Sequence, residues 1–384
     1  MEPFDVIIIG AGLAGLQCAR LLGMQGLRVL LADRKTSLDQ KVHTTGIFVR
    51  RTLQDFDLPE DCLGPAIRRV RLYSPKHRVL HLESEHDEYR IGKMARLYQR
   101  YLNQCVHSGV EWFPGATYVD SFESDQGSIV RLKLGSTTHS IKTRLLIGAD
   151  GACSRVAADL QLDVNREWIV GVEDIYSGAI LGGGPQLLCF LNPELAPGYI
   201  AWIAYDGDEA HVGVGGYPNR FDPTSALEEF HRLVRGILDL QMATRVERRG
   251  GRIPVGGVLK RIANNRGLLI GDAAGAVSPL TAGGLDPCIR LSALAAKVSS
   301  AYLSNGNAAV LTRYSGQAFR SKFTSRLWAR RIASSVRSPV LAEIMCGLMR
   351  LPGLSRLAGR VFFGSGSFPD VEPDLLCPIN FSLS

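Results

Sequence analysis

The sequence predicts an α/β protein, a doubly wound dinucleotide-binding fold with an inserted antiparallel sheet and a helical, basic C-terminal region. Three observations predict it. A glycine fingerprint stands between an apolar strand and a helix at Gly10-Ala11-Gly12-Leu13-Ala14-Gly15. Two further strands run into glycine-and-aspartate turns, Gly148-Ala149-Asp150-Gly151 and Gly271-Asp272-Ala273-Ala274-Gly275. Between those two turns the pattern changes to short, strand-rich segments.

Residues 4–9, Phe-Asp-Val-Ile-Ile-Ile, read as a buried parallel strand because the run is almost continuously apolar. Gly10 permits a tight turn, Gly12 leaves no Cβ between backbone and a pyrophosphate, and Gly15 lets the next helix pack closely. That helix, read over 13–24, aims free N–H groups at the phosphates, so Leu13 and Ala14 are counted with the glycines as cofactor contacts. Residues 27–33 form the second strand, and Asp33 stands about 20 residues beyond the glycines, where this fold places an acid on a ribose. Arg34 follows it.

The segment 41–47, Lys-Val-His-Thr-Thr-Gly-Ile, is polar and then apolar. It reads equally as a stretch running beneath the cofactor or as a loop with a capping threonine. Residues 67–83 alternate as a hairpin around Ser74-Pro75-Lys76-His77. Helical spacing returns over 94–106, with Arg96 near its start. A strand pair at 118–122 and 128–134 precedes the apolar strand that ends in Gly148, and Asp150 and Gly151 follow as cofactor candidates. Strands are expected at 168–176, 186–191, 199–205 and 210–216, the last two joined at Asp206-Gly207-Asp208. A helix is expected at 225–240, with Asp222 as its cap.

The third turn lies at the end of another buried strand, which delivers Asp272 to the edge where open α/β sheets bind ligands. Its continuation, Val277-Ser278-Pro279-Leu280-Thr281-Ala282-Gly283-Gly284-Leu285-Asp286-Pro287, allows close backbone approach at Gly283 and Gly284. The following helix is expected to begin at Asp286-Pro287, with Asp as N-cap and Pro in the first turn.

Composition bounds the rest. At 384 residues, 46% hydrophobic and 21% charged, the chain suits two interleaved domains. The acidic start leading directly into a strand is not a signal peptide, and no uncharged run reaches the ~18 residues of a membrane span. A cytoplasmic protein is expected. The eight cysteines are scattered without a CxxC pair, and His77, His81 and His86 lack ligand spacing, so neither disulfides nor a metal is expected. The net charge of +7 concentrates beyond Arg313, where arginines interleave with apolar residues. This tail reads either as a peripheral contact with an anionic membrane or as a solvated arginine face. No nucleic-acid motif accompanies it.

Taken together, the three turns resemble the FAD-dependent superfamily of aromatic hydroxylases, halogenases and geranylgeranyl reductases. The stretch Pro279-Leu280-Thr281-Ala282-Gly283-Gly284-Leu285, with Arg290 beyond it, is similar to the PLTGEGI motif of the geranylgeranyl reductases. Residues 198–203 and 210–215 resemble that family's tryptophan strand and VGxG strand. Of its PxxYxWxFP motif, Pro197 and Trp202 are retained. His43-Thr44-Thr45-Gly46 stands where the family has a cysteine-glycine segment, and the family's arginine aligns one residue from Arg96.

The resemblance implies an FAD-binding domain of residues 1–66, 94–166 and 252–312. A substrate domain of 67–93 and 167–251 and the basic region 313–384 complete the chain. It implies FAD contacts at Thr45, Gly46, Arg96, Pro279, Gly283, Gly284 and Leu285 besides the residues above. Trp202 would line a pocket for an apolar substrate, and His43 would be the proton donor beside the flavin. The implied activity is reduction of a prenyl or other apolar alkene. Alternatives are a flavin monooxygenase, with a halogenase disfavoured by the lack of WxWxIP, and a flavin-holding protein without turnover. There is no second fingerprint, since Gly213-Val214-Gly215-Gly216 runs into Tyr217-Pro218. Electrons are therefore expected from transiently bound NAD(P)H or from a protein such as ferredoxin.

Overall fold

The computed structural model describes residues 2–39, 42–125, 127–321 and 323–363. Its first strand, Phe4–Ile9, lies in the middle of an eight-stranded sheet. It pairs in parallel with Val29–Asp33 on one side and with Thr137–Gly148 on the other. Glu111–Pro114 and Gly267–Leu269 extend the parallel part outward. Buried on both faces, these strands need no polar alternation, and Val6, Ile7, Ile8, Leu31 and Leu145 are fully enclosed. The long strand Thr137–Gly148 also leaves the parallel layer at its beginning to pair with Gly127–Leu134, which pairs in turn with Thr117–Ser124. The helices Leu13–Gly23, Met94–His107 and Leu285–Asn305 pack with the sheet into one core.

The second sheet has seven strands, in the order Thr244–Pro254, Trp168–Ser177, Glu209–Gly216, Ala201–Tyr205, Gln186–Phe190, Arg69–Tyr73 and Val79–Glu83. One face, with Leu188, Ile203, Val212 and Val214, is covered by the helix Pro223–Val234 through Leu227 and Phe230. The other face carries Val70, Leu72, Leu187, Cys189, Trp202 and Ala204. A three-stranded sheet of Ile47–Val49, Tyr89–Gly92 and Leu63–Ile67 packs on that second face, as does Ala358 of the last helix, Pro352–Phe362.

Among the boundaries that differ from the sequence reading, two helix ends have a clear cause. The helix expected to reach residue 240 stops at Val234, because the chain turns at Gly236 and Asp239 pairs with Ile180 as an isolated bridge. Asp222 does cap it, accepting a hydrogen bond from the Ser225 N–H at 2.8 Å. The helix expected from Asp286 starts at Leu285 with Gly284 as its cap, because the Asp286 carboxylate is taken by Thr52 and Arg290.

Beyond Arg313 the chain forms the helices Gly316–Ser321, Thr324–Ser335, Pro339–Leu348 and Pro352–Phe362. Phe319 and Phe323 enter the main core. Trp328, Ile332, Val340, Leu341, Ile344, Leu348, Leu351 and Leu354 remain exposed. Glu343 accepts a hydrogen bond from the Lys76 N–H at 3.0 Å and lies 3.6 Å from Arg78. Lys322, Cys377 and the rest of 364–384 lie outside the described residues, as does Lys41. No helix among the described residues is long and apolar enough to cross a membrane. The described residues hold no cluster of metal-ligating groups, and their cysteines are free.

Candidate functional site

All three glycine turns meet at the carboxyl edge of the parallel sheet. Ala149 donates its N–H to the Ile9 carbonyl at 2.8 Å, and Ile270 donates to Gly148 at 2.9 Å. A Cβ on Gly10, whose φ is +105°, would stand 2.3 Å from the Ala149 carbonyl oxygen. A Cβ on Gly15 would stand 1.8 Å from the Gly10 oxygen, and one on Gly271 2.8 Å from the Ala14 methyl. These glycines are required by the packing of the chain on itself. Gly12 is different, because a Cβ there meets nothing within 4 Å and its φ of −73° suits any residue. The space in front of Gly12 is therefore open, and glycine is needed there only if something outside the chain fills it.

Other features of this edge fit a dinucleotide. Gly12 caps the helix Leu13–Gly23 without a side-chain bond, so its first turn presents N–H groups and a positive dipole end. The Asp33 carboxylate accepts the Ala11 N–H at 2.6 Å and the Lys35 N–H at 2.8 Å, which fixes it beside the fingerprint. Asp150 holds the neighbouring turn from within, accepting bonds from Ser154 at 2.6 Å and from the Arg155 N–H at 2.7 Å. Gly151, at φ +83°, borders open space.

Asp272 accepts no hydrogen bond on its carboxylate from any described residue, and burial alone pushes its pKa up to about 6. A sugar hydroxyl is the kind of donor such a group lacks. It faces Gly284, where an added Cβ would lie 3.7 Å from its oxygen. The loop leading there is held by the Ser278 N–H to the Gly283 carbonyl at 3.0 Å, with Pro279 buried and Gly283 exposed. Ala282 has φ +53°, a left-handed conformation taken up at the place where the resembling motif has glycine. Leu285 opens the long helix.

Across from this edge lies a buried polar group that the sequence reading did not single out. Glu173 accepts hydrogen bonds from the Thr45 hydroxyl at 2.7 Å and from the Trp202 indole N–H at 3.3 Å. His211, from the neighbouring strand, places Nδ1 3.7 Å from Glu173. Burial pushes the Glu173 carboxyl up, but His211, Thr45 and Arg249 outweigh burial and hold it below its ordinary range. Arg249 also donates to the Thr44 carbonyl at 2.9 Å, so the loop 43–46 is tied to this sheet. The indole of Trp202, 9% exposed, lies flat over a glycine strip. A Cβ on Gly213 would stand 2.3 Å from it, and one on Gly171 3.7 Å. Tyr199 packs edge-on to Trp202 and donates its hydroxyl to the Thr281 carbonyl at 2.7 Å, joining the sheet to the 278–284 loop. The clue in the sequence was the repeated glycine of the VGxG strand, which signals a large side chain lying across it.

His43 is exposed, and its pKa is lowered by partial burial and by Lys35, an effect the Gly250 backbone opposes and Arg34 adds to. Such an imidazole is neutral at pH 7 and is a poor acid. Arg34 is exposed beside it. Gly46, at φ +85°, accepts the Gly92 N–H at 2.8 Å and keeps the loop against the three-stranded sheet. The Arg96 guanidinium turns outward, 59% exposed and 2.7 Å from Asp61, in an orientation that serves the surface rather than the sheet edge. Arg290 is buried, bound to Asp286 at 2.8 Å and Asp55 at 2.7 Å, and locks the helix Arg50–Asp55 onto the long helix.

The open space before Gly12 at a helix N-terminus and the buried Asp272 carboxylate without a donor fit the dinucleotide of an FAD-dependent oxidoreductase. The chain belongs to the FAD binding domain family, which matches residues 3–327. It is 27% identical over 368 residues to digeranylgeranylglycerophospholipid reductase 1 of Methanopyrus kandleri, spanning 92% of this chain and 96% of that one. It is 28% identical over 324 residues to the reductase of the same name from Methanothermobacter thermautotrophicus, spanning 79% and 78%. In fold it matches a geranylgeranyl bacteriochlorophyll reductase-like protein of Thermoplasma acidophilum, with a TM-score of 0.82 at 16% identity over 98% of both chains. It also matches p-nitrophenol 4-monooxygenase of Pseudomonas putida, with a TM-score of 0.73 at 16% identity over 96% of this chain and 99% of that one.

Proposed function

We propose that this enzyme reduces alkene bonds in prenyl chains, with FAD held by residues 10–15, Asp33, Thr45, Gly46, Gly151, Asp272 and 279–285. The observation that carries the reading is the apolar cluster around Trp202, in which Val70, Leu72, Leu187, Cys189 and Ala204 of the seven-stranded sheet pack with Ala358 of the C-terminal helix. An apolar environment of this kind suits a hydrocarbon chain, and the relatives' names fit the same substrate class.

When bound and reduced, FAD would supply the hydride that the alkene takes up. The chain's part is to hold the prenyl group over Trp202, exclude water and keep a proton near. We assign the proton to the His211 and Glu173 pair rather than to His43, because the pair is buried beside Thr45 and Trp202. NAD(P)H or a ferredoxin-like protein would recharge the flavin transiently.

The exposed apolar residues between Trp328 and Leu354, with Arg331, Arg337, Arg356 and Arg360 around them, suit a peripheral contact with an anionic bilayer, where prenyl lipids reside. Reversing those four arginines to Glu should abolish flotation with anionic liposomes; unchanged flotation removes the membrane contact. Truncation is the weaker test, because Tyr314, Phe319 and Phe323 belong to the main core.

The chemistry is tested by reducing the holoprotein anaerobically and mixing it with geranylgeranyl lipid or with oxygen. Reoxidation by the lipid with saturation of its double bonds, slowed in Glu173→Gln at unchanged flavin content, is the expected result. Reoxidation by oxygen alone with a hydroxylated product would make it a monooxygenase, and no product with either would leave a flavin-binding protein.

A further inference from the structure

Apart from Glu343, the helix Pro339–Leu348 is apolar on every side. Ala342 and Cys346, one turn apart, are buried against the body of the protein, whereas Val340, Leu341, Ile344 and Leu348 look outward at 46% to 66% exposure. A helix of this composition is ordinarily enclosed, so its outer face lacks a second apolar partner. The next helix, Pro352–Phe362, continues that face through Leu354 and Val361.

The inner side of the pair covers the Trp202 cluster. Ala358 belongs to that cluster, and Met349, Phe362 and Phe363 pack against it. Tyr89 donates its hydroxyl to the Phe362 carbonyl, and its ring centre lies 6.4 Å from that of Phe363. With this cover in place Cys189 is 1% exposed and Ala204 fully buried, so the surroundings assigned to the hydrocarbon are closed. One acid fastens the cover. Glu343, the single carboxylate between residues 313 and 363, accepts the Lys76 N–H at 3.0 Å and lies 3.6 Å from the exposed Arg78 guanidinium. An ion pair with an exposed partner is a weak fastening. Phe319 and Phe323 hold the preceding helices in the main core, which leaves 336–338 as the segment on which the pair can swing.

We propose that the helices Pro339–Leu348 and Pro352–Phe362 are a lid over the Trp202 cluster, latched by Glu343 and opened by an anionic lipid surface. Such a surface offers an apolar layer to Val340, Leu341, Ile344, Leu348 and Leu354, and negative headgroups to Arg337, Arg356 and Arg360, which stand exposed around them. Burying several large apolar side chains outweighs one exposed ion pair. Resting on the prenyl reading, the assignment adds how that site is regulated: it opens at the lipid surface and stays closed in water.

A native thiol reports the movement. Cys189 lies under the lid, and burial pushes its thiol up to about 12, so it is inert while covered. Cys18, Cys105 and Cys288 lie in the main core and serve as controls. FAD-saturated protein is treated with N-ethylmaleimide alone, with phosphatidylcholine vesicles, and with vesicles of equal parts phosphatidylcholine and phosphatidylglycerol. Alkylation is followed site by site by mass spectrometry. The anionic vesicles are expected to raise the rate at Cys189 ~10-fold, the neutral ones less, with the three core thiols unchanged. Glu343→Gln, which removes the charge of the latch, should raise the rate without vesicles roughly 2- to 5-fold.

Protein that floats with the anionic vesicles while Cys189 stays unreactive overturns the lid. A rise shared by the core thiols does the same, because it signals unfolding, and a wild-type rate in Glu343→Gln removes the latch. If the anionic vesicles accelerate Cys189 but no alkene is reduced, the prenyl reading falls and the lid stands. If prenyl lipid is reduced while the vesicles leave Cys189 unchanged, the lid falls and the prenyl reading stands.

Discussion

Tightly packed glycines occur in both halves of the molecule, and they make room for different things. At the carboxyl edge of the eight-stranded sheet, Gly10 and Gly15 yield to backbone, with an added Cβ 2.3 Å and 1.8 Å from carbonyl oxygens. On the seven-stranded sheet Gly213 and Gly215 yield to rings, those of Trp202 and Tyr199, at 2.3 and 2.8 Å. Backbone cannot move aside cheaply, whereas a ring can rotate out. The first set of glycines is thus a condition of folding, and the second makes room for the rings of Trp202 and Tyr199. Gly12 belongs to neither set, since its only neighbour would be a ligand.

That contrast can be broken at several points. Gly15→Val carries the largest expected effect, a loss beyond ~4 kcal/mol that leaves little soluble, cooperatively unfolding protein. A variant with a wild-type melting curve would show that helix and turn are not packed as described.

A smaller effect belongs to Asp272. Its raised pKa means that the folded apoprotein holds this proton more tightly than the unfolded chain, so the group's contribution to stability declines as pH climbs from 4 to 7. The decline is ~3 kcal/mol at most. Apoprotein melting at pH 5 and pH 7.5 should show this slope in wild type and lose it in Asp272→Asn. Parallel slopes in the two proteins would contradict the assignment.

Gly213→Val should cost about 1–3 kcal/mol by overpacking and should displace Trp202, leaving flavin content intact. Melting and flavin absorbance measured together separate it from Gly15→Val. Loss of flavin on Gly213→Val would mean that the two sheets are more strongly coupled than the packing indicates.

The nucleotide half was legible in the chain because its signals are local. A strand, three glycines, a helix and Asp33 follow one another at fixed spacing, and each residue's neighbour in space is near in sequence or in a recognisable second turn. The seven-stranded sheet also showed itself through alternation and its turns, but its polar centre did not. Glu173, His211 and Thr45 come from three separate segments, and only the strand register brings them together. A single buried acid on a strand looks, in sequence, like any exposed one. His43 was chosen because it lies in the loop expected beneath the flavin and imidazole can donate a proton near neutral pH, but loop position does not reveal the partial burial that, with Lys35 and Arg34, lowers its pKa. Arg290 drew attention through its motif and proved to tie helices together, as its position i+4 from Asp286 allows.

The central claim is that three remote turns build one FAD cradle, and Gly12 tests it most directly because nothing in the protein needs a glycine there. Apoprotein and its Gly12→Val variant, both checked for a wild-type circular dichroism spectrum, would be titrated with FAD and followed by quenching of the flavin fluorescence. The account predicts a saturable one-to-one complex for wild type and none for the variant. A folded Gly12→Val protein that takes up FAD as wild type does, or a wild type that ignores FAD, would contradict it.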